Sequence, residues 1–245
     1  MQTDVLLEQI DQKNTFLRDT LGFENIRTNQ LFDFVRKVVD VSLESHKKEF
    51  RTHEGSDQMD YPRYVAYVED ITRFLIDVIY KEQLSQEMVC ELNTRILSCL
   101  PMDHPDRISA GKLRGGPRMS YFLDEKGNPT HLDYFVSHNK VPKLFTESYH
   151  VFSRGIEASP FHTIIHFCLV NLSKIHPFMN ANGRTFNIIR DVLLIRHGFL
   201  PIFLLQDKSG YDTLVKIYMH DKNFERFKQN FFGLILDRYA HYQVQ

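Results

Sequence analysis

The chain has 245 residues, 42% of them apolar and 25% charged, enough to bury the core of one large domain. Its 30 basic and 31 acidic side chains leave a net charge of -1, which excludes a broad electrostatic pull toward nucleic acid or an anionic membrane, so binding is expected to be local. The three cysteines, Cys90, Cys99 and Cys168, form no Cys-x-x-Cys pair and sit in apolar helical patterns, which points to reduced core thiols in a reducing compartment.

The N-terminus has no basic segment ahead of an apolar core, and no run of about 18 apolar residues follows anywhere, so neither a signal peptide nor a membrane span is expected. A cytoplasmic location, or delivery into a host cytosol, is the expectation. Leu31, Phe34, Val35, Val38 and Val39 recur at helical spacing and form one apolar stripe. Residues 52–62 are polar and break the pattern, which divides the chain into an N-terminal helical extension, 1–60, and a core, 61–245. Ile71, Phe74, Leu75, Val78 and Ile79 form a second stripe. Residues 101–118 hold three prolines and three glycines and are expected to be irregular. After them, 119–123 and 131–136 flank the glycine-bearing stretch 124–128 and predict a β-hairpin. Ser159 and Pro160 start a helix carrying Ile164, Ile165, Cys168, Leu169 and Leu172 up to His176, and another carries Ile188, Ile189, Val192 and Leu193 as far as Gly198, a C-terminal cap. The expected fold is all-α, a helical bundle with one β-hairpin, and no repeat of solenoid length is present.

Between the last two helices lies His176-Pro-Phe-Met-Asn-Ala-Asn-Gly-Arg184. An imidazole immediately precedes a short polar turn that opens a helix, where the free N–H groups of Asn182, Gly183 and Arg184 and the helix dipole favour an anion such as phosphate. Imidazole titrates near neutrality and suits a general base. Arg184 is a cation at a helix start, a mildly unfavourable place that a bound anion would justify.

This segment resembles the signature of the Fic (Fic/Doc) family, His-Pro-Phe-x-(Asp/Glu)-Gly-Asn-Gly-(Lys/Arg)-x-x-Arg. His176, Pro177, Phe178, Asn182, Gly183 and Arg184 agree, whereas Asn180 replaces the acidic residue, Ala181 the first glycine and Asn187 the last arginine. Gly111-Lys-Leu-Arg114 and Gly198-Phe-Leu-Pro201 also resemble family segments, and Tyr211 stands where a nucleotide-contacting tyrosine often follows. The resemblance implies a Fic-type helical bundle whose hairpin is a flap that registers a target protein in extended form. It implies a protein adenylyltransferase: His176 removes the proton of a Ser, Thr or Tyr hydroxyl, which attacks the α-phosphate of ATP, with magnesium bridging the phosphates. Asn182, Gly183 and Arg184 would bind phosphate, and Asn187 and Tyr211 would contact the nucleotide. Asn180 would be a weak metal ligand, since its amide brings no charge, and Arg190, one turn on from Asn187, could stand in for the missing arginine. Ala181 adds a methyl to a turn that favours φ > 0. Thr20-Leu-Gly-Phe-Glu24-Asn25 matches the family's inhibitory pattern (Ser/Thr)-x-x-x-Glu-(Gly/Asn), which makes Glu24 an inhibitory candidate. The resemblance leaves room for a homodimer. Three alternatives stay open: a CDP-choline-like donor, removal of AMP, and a binding module without turnover.

Overall fold

The apolar stripes become packed helix faces in the computed structural model, which describes residues 2–21, 28–51, 59–123, 129–202 and 223–241. In chain order the elements are α1 (Gln2–Leu21), α2 (Thr28–Ser42), a 3-10 segment (Glu44–Phe50) and α3 (Tyr61–Phe74), which runs on as a π-turn (Leu75–Tyr80). Next come α4 (Gln86–Ile96), the short α5 (Pro105–Ile108), and strands β1 (Met119–Leu123) and β2 (Pro129–Tyr134). The chain continues with α6 (Val141–Gly155), α7 (Pro160–Val170) prolonged by a π-turn (Asn171–Ile175), α8 (Asn182–Arg196) and α9 (Phe224–His241).

α8 is buried around nearly its whole circumference, with Phe186, Ile188, Ile189, Val192, Leu193 and Leu194 among its buried residues, so it can only be stable inside the bundle. α2, α4 and α7 pack around it. Each of these large side chains contributes roughly 1.5–3 kcal/mol by leaving water. Val35, Val38 and Val39 of α2 and Ile71, Leu75 and Ile79 of α3 and its extension are buried as their spacing predicts. α2 thus packs within the bundle, against α3 and α8.

The far end of α8 is gripped by the two terminal helices, which pack on one another. Gly198 takes φ +79 just beyond the helix, the left-handed conformation expected of its cap. Asn14 of α1, itself buried, donates to the Gly198 carbonyl at 3.0 Å and accepts from the Leu200 N–H at 2.9 Å, while the Tyr239 hydroxyl of α9 donates to the Leu200 carbonyl at 2.8 Å.

β1 and β2 pair antiparallel from Met119 opposite Tyr134 to Leu123 opposite Pro129, with a register shift after Phe122. The second strand starts and ends two residues earlier than its pattern predicts. The expected irregular stretch 101–118 contains α5: Pro105 is placed at a first helical position, and the His104 ring accepts from the Asp106 N–H at 3.2 Å. Among the described residues no helix is long and apolar enough to cross a membrane.

Candidate active site

His176 owes its position to a change of helical pitch. The π-turn after α7 ends when the His176 N–H donates to the Asn171 carbonyl five residues back, at 2.8 Å, and His176 then turns left-handed at φ 50. Such π-turns are rare and often accompany functional sites. The ring is fixed as firmly as the backbone. Its Nδ1 lies 3.1 Å from the Leu172 carbonyl, which can only accept, so the neutral imidazole carries its proton on Nδ1 and leaves Nε2 as a free acceptor. Phe135, just past β2, stacks on the imidazole with centroids 4.0 Å apart and planes at 18°. Burial pushes the pKa of His176 down to about 4; the Leu172 carbonyl opposes the drop, and the Arg118 and Arg114 guanidiniums add to it. At neutral pH the ring is an unprotonated acceptor.

Arg114 staples this loop from the opposite side. Its guanidinium is buried and donates to the carbonyls of His176 at 2.8 Å, Ile175 at 3.1 Å, Gly116 at 2.9 Å and Val136. Its own N–H reaches the Pro177 carbonyl at 2.8 Å. The conformation of the histidine loop is therefore set by an arginine that touches only backbone.

The turn that follows has a second left-handed residue, Ala181 at φ 61, and no side chain caps the start of α8. The first-turn N–H groups of a helix have no acceptor within it, so Asn182, Gly183 and Arg184 present donors to the adjoining cavity. The Asn182 side chain braces the turn: it accepts from the Phe178 N–H at 3.0 Å and donates to the Phe178 carbonyl at 2.8 Å. Asn93 of α4, wholly buried, donates to the Asn180 carbonyl and the Thr185 hydroxyl, both at 3.1 Å, and accepts from the Gly111 N–H at 2.9 Å. Gly111 sits at φ +70, where an added methyl would lie 2.2 Å from the Thr94 hydroxyl.

His176, Asn180 to Arg184 and Asn187 line one cavity of about 660 Å³ together with Ser42, His46, Lys48, Glu49, Leu97, Leu100, His104, Asp106 and Arg118. Asn180 occupies the centre of a polar bridge. Its amide nitrogen donates to the Asp106 carboxylate at 2.6 Å, while its oxygen accepts from Arg184 at 3.2 Å and from the Ala181 N–H at 2.7 Å. Arg190 does not replace the arginine absent at position 187. It is buried and turned inward, chelated by the neighbouring Asp191 at 2.8 and 3.0 Å and bonded to the Asn187 oxygen at 2.9 Å. A buried carboxylate without its guanidinium would be costly, and this pairing outcompetes any reach toward the cavity. Glu24 and Tyr211 lie outside the described residues.

Sequence reading missed His46, Glu49, His104, Asp106 and Arg118. His46 is held by the Tyr67 hydroxyl at 3.0 Å and lies 3.4 Å from the Cys99 sulfur. That hydroxyl donates to the Ile96 carbonyl at 2.7 Å, so His46 Nδ1 is the donor between them, and Nε2 is left as an acceptor. Burial, followed by Arg184 and Lys48, holds the His46 pKa down to about 4. For Glu49 a local signal exists, since Ser45 precedes it at the same spacing that separates Thr20 from Glu24.

No family model matches the chain. A protein adenylyltransferase Fic from Drosophila willistoni is 26% identical over 141 residues, and one from Drosophila virilis is 24% identical over the same length. Each match covers 57% of this chain and 26% of the relative, so the matched segment spans about a quarter of those curated relatives. A Fic family protein from Desulfovibrio desulfuricans superposes with a TM-score of 0.69 at 16% identity, covering 100% of this chain and 76% of that one. A Fic domain containing signaling protein from Bacteroides thetaiotaomicron gives 0.62 at 14% identity, covering 96% and 94%. The chain resembles Fic proteins in part of its sequence and in its fold. The structural likenesses carry the fold, and the two Drosophila proteins carry the family name.

The fit of a divalent cation to this cavity rests on its donor set. Magnesium is commonly held by one or two carboxylates together with substrate phosphates, not by a cage of protein ligands. Among the described residues no group of three or more His, Cys, Asp or Glu could hold a metal ion, but Asp106 brings one carboxylate to the cavity wall beside residue 180. The donor set therefore fits a cation shared with phosphate.

Proposed function

We propose that this protein is an adenylyltransferase that moves AMP from ATP to a hydroxyl side chain of a protein target. The observation that carries the reading is the placement of a neutral imidazole, its tautomer set by the Leu172 carbonyl, in the same cavity as the uncapped start of α8 and the Arg184 guanidinium. In this reading the donor's phosphates rest on the N–H groups of Asn182, Gly183 and Arg184, and Arg184 carries the leaving diphosphate by charge-assisted hydrogen bonds. His176 Nε2 takes the hydroxyl proton as the hydroxyl oxygen attacks the α-phosphorus. The bond from that phosphorus to the β-phosphate oxygen breaks, leaving pyrophosphate and a phosphodiester between AMP and the target. A bound magnesium would neutralise phosphate charge in this step. Arg118, flanking His176 on the cavity wall, adds positive charge at the mouth. The paired strands β1 and β2 join this site through Phe135, whose ring covers His176, and an extended target segment added along the strand edge would bring its hydroxyl to the imidazole. A general base supplies about 10²- to 10⁴-fold of such a rate.

Restraint of the site is part of the proposal. Glu24 follows Thr20 at the inhibitory spacing, and Glu49 follows Ser45 at the same spacing and lines the cavity that holds Arg184. A carboxylate at either position would compete with the terminal phosphate for Arg184. Cytoplasmic action on a protein, with no nucleic acid partner, completes the reading.

The test is a comparison of donors. Protein incubated with ATP labelled at the α-phosphate should become labelled, with γ-labelled ATP it should not, and the Glu49→Gly protein should label faster. Label from choline-labelled CDP-choline, and none from ATP, would replace this reading with transfer of phosphocholine. A faster rate in Glu24→Gly alone would assign the brake to Glu24 and not to Glu49.

A further inference from the structure

The motif of this chain lacks a carboxylate at residue 180, yet the wall of the cavity carries one from elsewhere in the sequence. Asp106 stands at the start of α5, 74 residues before Asn180, and its Oδ2 accepts from Asn180 Nδ2 at 2.6 Å. An ionised carboxylate offers about four lone-pair sites, so one such hydrogen bond leaves most of its capacity open. Its neighbours do not consume the rest. The His104 nitrogen 3.9 Å away already accepts from the Asp106 N–H, so the neutral ring has no proton to give the carboxylate from that side. Among the described residues no lysine or arginine comes within ion-pair distance of Asp106, and about a third of its side chain is exposed.

Asn180 is in the opposite condition. Its oxygen has two lone pairs, one facing the Ala181 N–H at 2.7 Å and the other the Arg184 guanidinium at 3.2 Å. A cation placed there would displace a hydrogen bond and stand against a positive charge. The amide nitrogen points the other way and orients Asp106. Both residues are held in one frame: Asn93 fixes the Asn180 backbone and the Gly111 loop, and Arg107 of α5 donates to the Leu100 carbonyl at 3.0 Å.

We propose that Asp106 supplies the carboxylate oxygen for the divalent cation that accompanies the donor's phosphates, and that Asn180 is its positioning residue and not a ligand. The proposal rests on the nucleotide reading above. The anionic ligand has moved from the turn before α8 to the start of α5, and the amide at residue 180 avoids the repulsion two carboxylates 2.6 Å apart would suffer in the cation-free protein. The same geometry says what an aspartate at 180 would do: two carboxylates would flank the cation and bind it more tightly, at the cost of stability without it.

The full chain is titrated with manganese(II) alone, followed by electron paramagnetic resonance, and with ADP in EDTA and in magnesium, followed by calorimetry. Wild type should bind manganese(II), and magnesium should tighten ADP. In Asp106→Asn, with an unchanged melting temperature, manganese(II) affinity should fall about 10- to 100-fold and the magnesium effect on ADP should vanish, while ADP affinity in EDTA holds or rises. In Asn180→Asp manganese(II) affinity should rise and cation-free thermal stability should fall. Manganese(II) binding and a magnesium response that survive in Asp106→Asn would overturn the proposal, as would a wild type indifferent to both metals. Absence of ADP binding under every condition would instead refute the nucleotide reading, and the manganese(II) titration would still decide the role of Asp106.

Discussion

His176 and Ala181 are the non-glycine residues with positive φ among those described, and both lie in the turn that forms the cavity floor. Left-handed backbone costs a residue with a Cβ roughly 1–2 kcal/mol, and strain of this kind persists where the surroundings impose it. At Ala181 the cost is relieved by removing a methyl. Ala181→Gly should raise stability by about 1 kcal/mol and the melting temperature by about 2–4 °C in a thermal scan; an unchanged or lower value would mean that the packing of the buried methyl outweighs the strain. The histidines make a second prediction. His46 and His176 both have pKa values held from 6.5 down to about 4, chiefly by burial. Below 6.5 the unfolded chain takes up protons that the folded chain refuses, so their contribution is intact above about pH 6.5 and is lost as pH falls through 4. Urea unfolding at pH 7.5 and pH 5 should show a loss of roughly 2–4 kcal/mol from the two together, and a His46→Gln protein should show a shallower slope. Equal stability of the wild type at both pH values would refute that burial. Residues of the local motif were legible in the sequence because one turn brings His176 and Arg184 together. Asp106 and His46 were not, since common polar residue types arriving from other elements leave no local pattern, and Glu49 offered only its spacing from Ser45.

At the scale of elements, α4 holds the site through Asn93, which satisfies a carbonyl of the α8 turn, a hydroxyl of α8 and an N–H of the Gly111 loop. Truncation leaves one buried and two part-buried groups without their partner; such a group costs about 1–3 kcal/mol when buried and less where water reaches it. Asn93→Ala should therefore lose roughly 2–4 kcal/mol in urea unfolding and weaken ATP binding with it; a loss below about 1 kcal/mol would show that water replaces the side chain. The helices themselves were readable from periodicity, and the start and stop at Ser159, Pro160 and Gly198 fell where the chain turns. The π-turns were not. They obey the same apolar spacing as α-helix over a few residues, and only the extra residue before His176 shows the change of pitch. α5 was hidden in the same way, a single turn too short for any period.

For the whole molecule, the all-helical bundle follows from stripes that only mutual packing can bury, and α1 and α9 close it by gripping the turn after α8. In the proposed reaction the group on which transfer turns is His176, at the cavity of α8. The decisive measurement is the rate at which α-labelled ATP labels protein, the chain itself or a target in lysate, by wild type and by His176→Ala at equal melting temperature. The account predicts labelling by wild type and a loss of about 10²- to 10⁴-fold in the variant. Labelling that persists at the wild-type rate without the imidazole, or a wild type that transfers no label from ATP, would contradict it.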